Sequence, residues 1–346
     1  METAVHTTTK EGYYSIPSPS GTTIEIPVSY DPESDVFSHL RYKQQIRAYY
    51  QEHGFVVQRN VIPAALCDAA TSAFKRQVKP YQGFFYRQAT GNPERHIFKD
   101  NNFMMNAVMN IQDLDRNKFA HFQDVGMQIL THPNIREVLD ALMQEEAIIA
   151  QTMYFEGNPV TWPHQDKDYL DANKPGAMVA AWVALEDIMP GAGRFYVYPG
   201  SHKIDIEKIG TNLNIILDRE AYKKLVVDTI NERKLVCEAP ALKKGDVLFW
   251  HGKTIHGSLA TTQPEYSRQS FTAHYMPVSR SLLQLQVRQK KLLLREVNGM
   301  KVNFPKDQNQ PLNKMIFFVE TTFPKIFRTV KRRAIELHGK QQRSRM

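Results

Sequence analysis

At 346 residues, 42% of them hydrophobic and 23% charged, the chain has room for one large domain or two small ones around a sizeable core. Two cysteines, Cys67 and Cys237, exclude a disulfide framework or a zinc–thiolate cluster, so any metal must be held by His and carboxylate groups. No apolar run has the length of a membrane span and METAVHTTTKEGYYSIPSPSG lacks the basic-then-apolar order of a secretory signal, so a cytoplasmic protein is expected; its net charge of +8 gathers at the C-terminal end.

Residues 1–40 are polar and rich in Ser, Thr and Pro, with one short strand in TTIEIPVSY, and are expected to form an arm lying on the domain. RYKQQIRAYYQEHG (41–54) has the pattern of a helix closed by Gly54, and FVVQRNVI follows as a short strand. Pro63 opens a helix that places Leu66, Ala70 and Phe74 on one face. NIREVLDALMQ (134–144) is another amphipathic helix, with Ile135, Val138, Leu139 and Leu142 inward. The texture then turns to β in AIIAQTMYF (147–155), MVAAWVALEDI (178–188), RFYVYPG (194–200), GDVLFWHG (245–252) and RQSFTAHYMP (268–277). A charged, helical insertion at 203–235 interrupts these runs. Strands without regular strand–helix alternation argue against a doubly wound sheet and for a mainly β sandwich or jelly roll with flanking helices.

In TWPHQDKDYL (161–170), His164 and Asp166 stand two apart, on one face if the segment is a strand, where imidazole and carboxylate can share a metal ion. The same pair suits an ordinary surface hydrogen bond, so the reading depends on a third ligand from another strand. GDVLFWHGKTIHGS (245–258) offers His251 and His256. Two His and one carboxylate make the facial set of non-haem Fe(II) oxygenases, and they also occur in zinc hydrolases, so ligand identity leaves the metal open. Arg268, twelve residues after His256, could grip a dicarboxylate co-substrate in a bidentate manner, with Ser258 and Ser270 adding hydroxyl donors.

HQD at 164–166, RFYVYPGSHK at 194–203, GDVLFWHGKTIHGS at 245–258 and RQSFTAHY at 268–275 follow in order after QIRAYYQEHGFVVQRNVIPAALCDA. Together they resemble the phytanoyl-CoA dioxygenase family, from about Tyr42 to Pro277. The resemblance implies a double-stranded β-helix domain over 41–280 that uses Fe(II), 2-oxoglutarate and O2. It implies His164, Asp166 and His256 as iron ligands at the catalytic centre and Arg268 as the 2-oxoglutarate anchor; His256 is preferred to His251 because Ile-His-Gly-Ser carries the match. Gln151 and Tyr154, on the strand before the ligands, are further candidates for contact with the co-substrate. Asp166 stands where halogenating members carry a small residue. Hydroxylation or a related C–H oxidation of a small-molecule or lipid-like substrate is therefore implied, with release of succinate and CO2. A zinc hydrolase on the same scaffold and a binding protein with a vestigial site are the alternatives. Trp162, Trp182 and Trp250 read as packing residues.

From Ser281 to Met346, 15 Lys/Arg face 4 Asp/Glu, and this basic extension, expected to be helical, lies outside the resemblance. Pro324 interrupts any single helix in MIFFVETTFPKIFRTVKRRAIELHG, and residues 325–338 have the pattern of a basic amphipathic helix. Its apolar face, Ile326, Phe327, Val330 and Ile335, suits packing on the β core; a membrane surface or an acidic partner are the other contacts it could make. Basic charge without a recognisable module gives no reason to expect nucleic acid.

Overall fold

The computed structural model describes residues 9–10, 12–28, 31, 33, 35–206, 218–284, 288–327 and 329. Three short strands come first, β1 (Thr9–Lys10), β2 (Tyr13–Pro17) and β3 (Thr23–Pro27), paired as a small antiparallel sheet. The region expected to hold one strand thus forms a three-stranded antiparallel meander. Ile16 and Ile26 bury themselves beside Tyr196, Tyr198 and Tyr222. Helix α1 (Lys43–His53) stops at Gly54, whose φ of 78° lies in the left-handed region, and a Cβ there would run into His202 and Thr254.

The next elements are β4 (Phe55–Gln58), α2 (Ala64–Ala73), β5 (Phe85–Tyr86), β6 (Pro93–Glu94), β7 (Val108–Met109), α3 (Arg116–Leu130) and α4 (Pro133–Met143). They lead to the long strand β8 (Ala147–Phe155), then β9 (Leu170–Ala172), β10 (Val179–Ala184) and β11 (Phe195–Val197). After α5 (Arg219–Glu232) come β12 (Val247–His251), β13 (His256–Ser258) and β14 (Ser270–Pro277). The last elements are β15 (Leu282–Gln284), β16 (Arg288–Lys290), β17 (Leu294–Val297), β18 (Met300–Asn303) and α6 (Pro311–Thr322).

The large sheet runs β17-β18-β8-β14-β10-β12-β4, with β7 also paired to β8. Its strands are antiparallel except for β18 beside β8. Every residue of β14 is buried, as expected of a central strand covered on both faces. The outer face takes the helices: Phe74 and Phe122 place their rings 4.4 and 5.2 Å from Tyr154, and Phe122 lies 5.7 Å from Phe271. Over the inner face lies the two-stranded sheet β11–β13, where the Phe195 ring sits 4.8 Å from Trp250 and 6.2 Å from Trp182. These layers form the double-stranded β-helix, or jelly roll, with helices outside.

The extension after residue 280 departs from the helical expectation, because residues 282–303 supply four strands before α6 begins. The cause is local. Asn298 and Gly299 have φ of 50° and 76°, the pair of positive values a two-residue hairpin turn requires, and they reverse β17 into β18. Most of the helix expected over 325–338 lies outside the described residues. Ile326 is exposed rather than packed on the β core. No helix among the described residues is long and apolar enough to cross a membrane.

Candidate metal centre

His164 and His256 are direct cross-strand partners, each backbone N–H donating to the other's carbonyl at 3.1 and 3.0 Å. Partners in such a pair point to the same side, which brings the two rings to 4.4 Å between centroids. Asp166 does not continue a strand. It opens the 3-10 turn Asp166–Asp168, held where the Lys167 N–H reaches the Gly252 carbonyl at 3.0 Å and Gln165 Nε2 reaches the Lys253 carbonyl at 2.6 Å. A bridge followed by a turn, not the alternation of one strand, therefore makes His164 and Asp166 converge. Asp166 Oδ1 lies 3.6 Å from His164 Nε2 and 3.5 Å from His256 Nε2, and one ligand atom from each residue falls within 4.8 Å of the others.

The ring tautomers follow from the backbone. His164 Nδ1 lies 2.9 Å from the Trp162 carbonyl, and His256 Nδ1 lies 2.9 Å from the Thr254 carbonyl. A carbonyl only accepts, so each Nδ1 carries the proton and each Nε2 turns a lone pair toward Asp166 Oδ1. The second carboxylate oxygen, Oδ2, accepts from the Trp250 indole Nε1–H at 2.7 Å. Burial would raise the Asp166 carboxyl, but positive charge at the surrounding His256, His274 and His164 holds it well below the usual carboxylate range; a bound cation would supply that charge with the two ligand rings neutral. Two neutral imidazoles and one carboxylate, buried and facing one point, make a donor set that fits a divalent metal.

Arg268 lies before β14 on the same inner face, its guanidinium 5.9 Å from the Phe155 ring and 5.8 Å from the Trp182 ring. It is buried, no carboxylate pairs with it among the described residues, and its Nε lacks a hydrogen-bond partner. Burial brings its pKa down to about 10. A buried guanidinium without a counter-charge fits a site that receives an anion.

The other expected site residues divide. Ser270 is buried on the Arg268 side of β14, and Ser258 Oγ is occupied in accepting from the Thr161 N–H at 2.7 Å. Gln151 pairs with His274 across β8 and β14, on the inner face. Tyr154 does not reach the site. It pairs with Phe271, so strand alternation turns it outward among Phe74 and Phe122, and its hydroxyl donates to Gln269 Oε1 at 3.0 Å. His251 ends β12 away from the triad, its Nδ1 accepting from the Lys253 N–H at 3.0 Å and its ring 5.3 Å from His202.

His274 was missed in the sequence. It is buried on the inner face, with Nε2 3.3 Å from Asp166 Oδ2 but out of line for a hydrogen bond, and neither ring nitrogen has a partner. Thr272 Oγ1, two residues earlier on that face, is also buried without a partner. Counting in twos from Arg268 would have found both.

The sequence profile described as phytanoyl-CoA dioxygenase (PhyH) matches residues 50–270. Among curated relatives, phytanoyl-CoA dioxygenase domain-containing protein 1 of Danio rerio is 30% identical over 174 residues, 46% of this chain and 57% of that protein. The chain thus spans somewhat over half the length of that relative. The peroxisomal phytanoyl-CoA dioxygenase of Homo sapiens is 24% identical over 249 residues, 66% of this chain and 67% of that one. Among solved structures, the epimerase SnoN in complex with Fe3+, alpha ketoglutarate and nogalamycin RO superposes with a TM-score of 0.53 at 17% identity, covering 76% of this chain and 98% of that one. The last likeness is one of fold.

Proposed function

The chain belongs to the phytanoyl-CoA dioxygenase family, and from that premise we propose that it is a non-haem Fe(II)- and 2-oxoglutarate-dependent dioxygenase. It hydroxylates, or otherwise oxidises at a C–H bond, a small-molecule or lipid-like substrate. The observation that carries the proposal is the buried His164–Asp166–His256 cluster on the same inner face as a buried, unpaired Arg268. A zinc hydrolase needs the first feature but has no use for the second.

His164 Nε2, Asp166 Oδ1 and His256 Nε2 would hold the metal, with the Trp162 and Thr254 carbonyls fixing the rings and the Trp250 indole fixing the carboxylate. Arg268 would pair with the far carboxylate of 2-oxoglutarate, exchanging an unpaired buried charge for a bidentate ion pair, with Ser270 beside it. Iron bound there supplies the activation of O2 that couples decarboxylation of 2-oxoglutarate to substrate oxidation, with succinate and CO2 released. The protein's part is to place both partners and limit water, a role that Phe195, Trp182 and Trp250, packed beside the cluster, would serve.

Anaerobic titration of Fe(II)-loaded protein with 2-oxoglutarate tests this. A weak visible charge-transfer band is expected in the wild type, absent in Asp166→Ala and requiring far more 2-oxoglutarate in Arg268→Ala. Folded, iron-loaded wild type that gives no band would overturn the proposal.

A further inference from the structure

Helix α6 is held to the body along one side. Glu320 accepts the Tyr86 hydroxyl at 2.7 Å, and the Phe317 ring meets Tyr86 edge-on at 5.3 Å. The opposite side has no cover among the described residues. Leu312, Met315 and Phe318 are 62%, 57% and 61% exposed, and Phe323 and Ile326, on either side of Pro324, continue the exposed apolar series. With Ile316, these make six of the 17 exposed large apolar side chains described, gathered into residues 312–326. Single exposed apolar residues are ordinary on a protein surface, whereas a concentration of this kind marks an interaction surface.

Charge indicates what covers it. Within residues 311–327 the sole acidic side chain, Glu320, is turned inward to Tyr86; Lys314 reaches back to Asp115 on the body at 3.5 Å, and Lys325 is exposed. From Arg328 to Met346 the sequence carries seven Lys/Arg and one acidic residue, Glu336. A second copy of this chain would set these like charges against each other. An anionic bilayer answers both halves of the surface, its headgroups the cations and its acyl boundary the apolar side chains.

We propose that the outer face of α6, with the basic sequence that follows it, docks this protein on an anionic lipid surface. Leu312, Met315, Phe318, Phe323 and Ile326 enter the headgroup–acyl boundary, and the positive charge of Lys325 and of the sequence after it favours anionic headgroups.

Co-sedimentation of the full chain with two kinds of vesicle tests the proposal, phosphatidylcholine alone and phosphatidylcholine mixed with phosphatidylserine. The wild type should sediment with the mixed vesicles, at least tenfold more weakly with the neutral ones, and be released by added salt. Phe318→Glu combined with Ile326→Glu should lose at least tenfold in binding at unchanged melting temperature, since both side chains are already in solvent. Lys331→Gln, Arg332→Gln and Arg333→Gln together should weaken binding and its salt dependence with the apolar face intact. Equal binding to both vesicles, no binding to either, or a double variant that binds like the wild type would overturn the proposal. So would a concentration-dependent dimer that the double variant abolishes, which would make a second copy the occupant.

Discussion

Replacing Trp250 by phenylalanine removes one hydrogen bond from the proposed ligand set and keeps an aromatic ring in place. The indole Nε1–H donates to Asp166 Oδ2 at 2.7 Å, while Oδ1 faces His164 and His256. Both residues are buried, so bulk water does not replace the lost donor. A hydrogen bond to a charged group contributes about 1.5–3 kcal/mol, and a tenfold change in affinity corresponds to about 1.4 kcal/mol. Metal affinity should therefore fall about 10–100-fold, the range typical of lost outer partners of metal ligands. The smaller ring also leaves a void beside Phe195 and His256, so affinity must be measured well below the unfolding transition. The assay is anaerobic titration of metal-stripped protein with Mn(II), with free ion followed by electron paramagnetic resonance. Trp182→Phe is the control, losing the same volume beside Arg268 but no bond to a ligand. Folded Trp250→Phe protein that binds metal within about twofold of the wild type would refute the reasoning. Equal losses in both variants would instead indicate general loosening.

Arg268→Met removes a buried, unpaired charge at similar length. Without 2-oxoglutarate its melting temperature should equal or exceed that of the wild type, while the stabilisation the wild type gains from 2-oxoglutarate should vanish; a clear loss of stability in the ligand-free variant would show that the guanidinium already has a partner. Tyr154→Phe should leave 2-oxoglutarate affinity unchanged and lower unfolding free energy by about 1 kcal/mol through the lost bond to Gln269, as chemical denaturation would show. Burial, helped by His202 and Lys253, pushes His251 down to about 3. Between that value and an unfolded value near ~6.5 the unfolded chain takes up a proton that the folded protein refuses, so this stability is complete above the unfolded value and drains away as pH falls. From pH 7 to pH 5, His251→Gln should lose less unfolding free energy than the wild type by up to about 2 kcal/mol; identical losses in urea titrations would refute the assignment.

The sequence carried the ligand types because chemistry leaves little choice. With two cysteines and several histidines, a His-x-Asp beside Trp-Pro and a second histidine before Gly-Ser were the available donors, and their order matched the family. The geometry that joins them was less legible. His164 and Asp166 were set on one strand face, whereas a backbone bridge to His256 and a 3-10 turn bring them together. That turn depends on the Gly252 and Lys253 carbonyls, some 85 residues further on, and no local pattern reports such contacts. The extension after residue 280 was misread for a different reason. Its cationic content was read as helix, and Asn298-Gly299, a local sign of a hairpin, was passed over.

Strand parity explains the remaining differences. AIIAQTMYF is buried on both faces, so hydrophobicity alone does not say which residues look inward, and Tyr154 was assigned by proximity. The polar Gln151 carries the missing information: a glutamine on the inner face puts Met153 and Phe155 with it and sends Tyr154 out. The same count on β14 starts from Arg268 and passes through Ser270, Thr272 and His274. Three of these four side chains, all but Ser270, hold buried polar atoms without partners, and each such atom costs about 1–3 kcal/mol if nothing meets it. A fold that only needed stability would have placed apolar side chains there, as it did at Phe271, Ala273 and Tyr275 on the other face of the same strand. The unpaired row lies on the wall that Arg268 shares with the proposed metal ligands, where a polar ligand in the space between them would offset its cost.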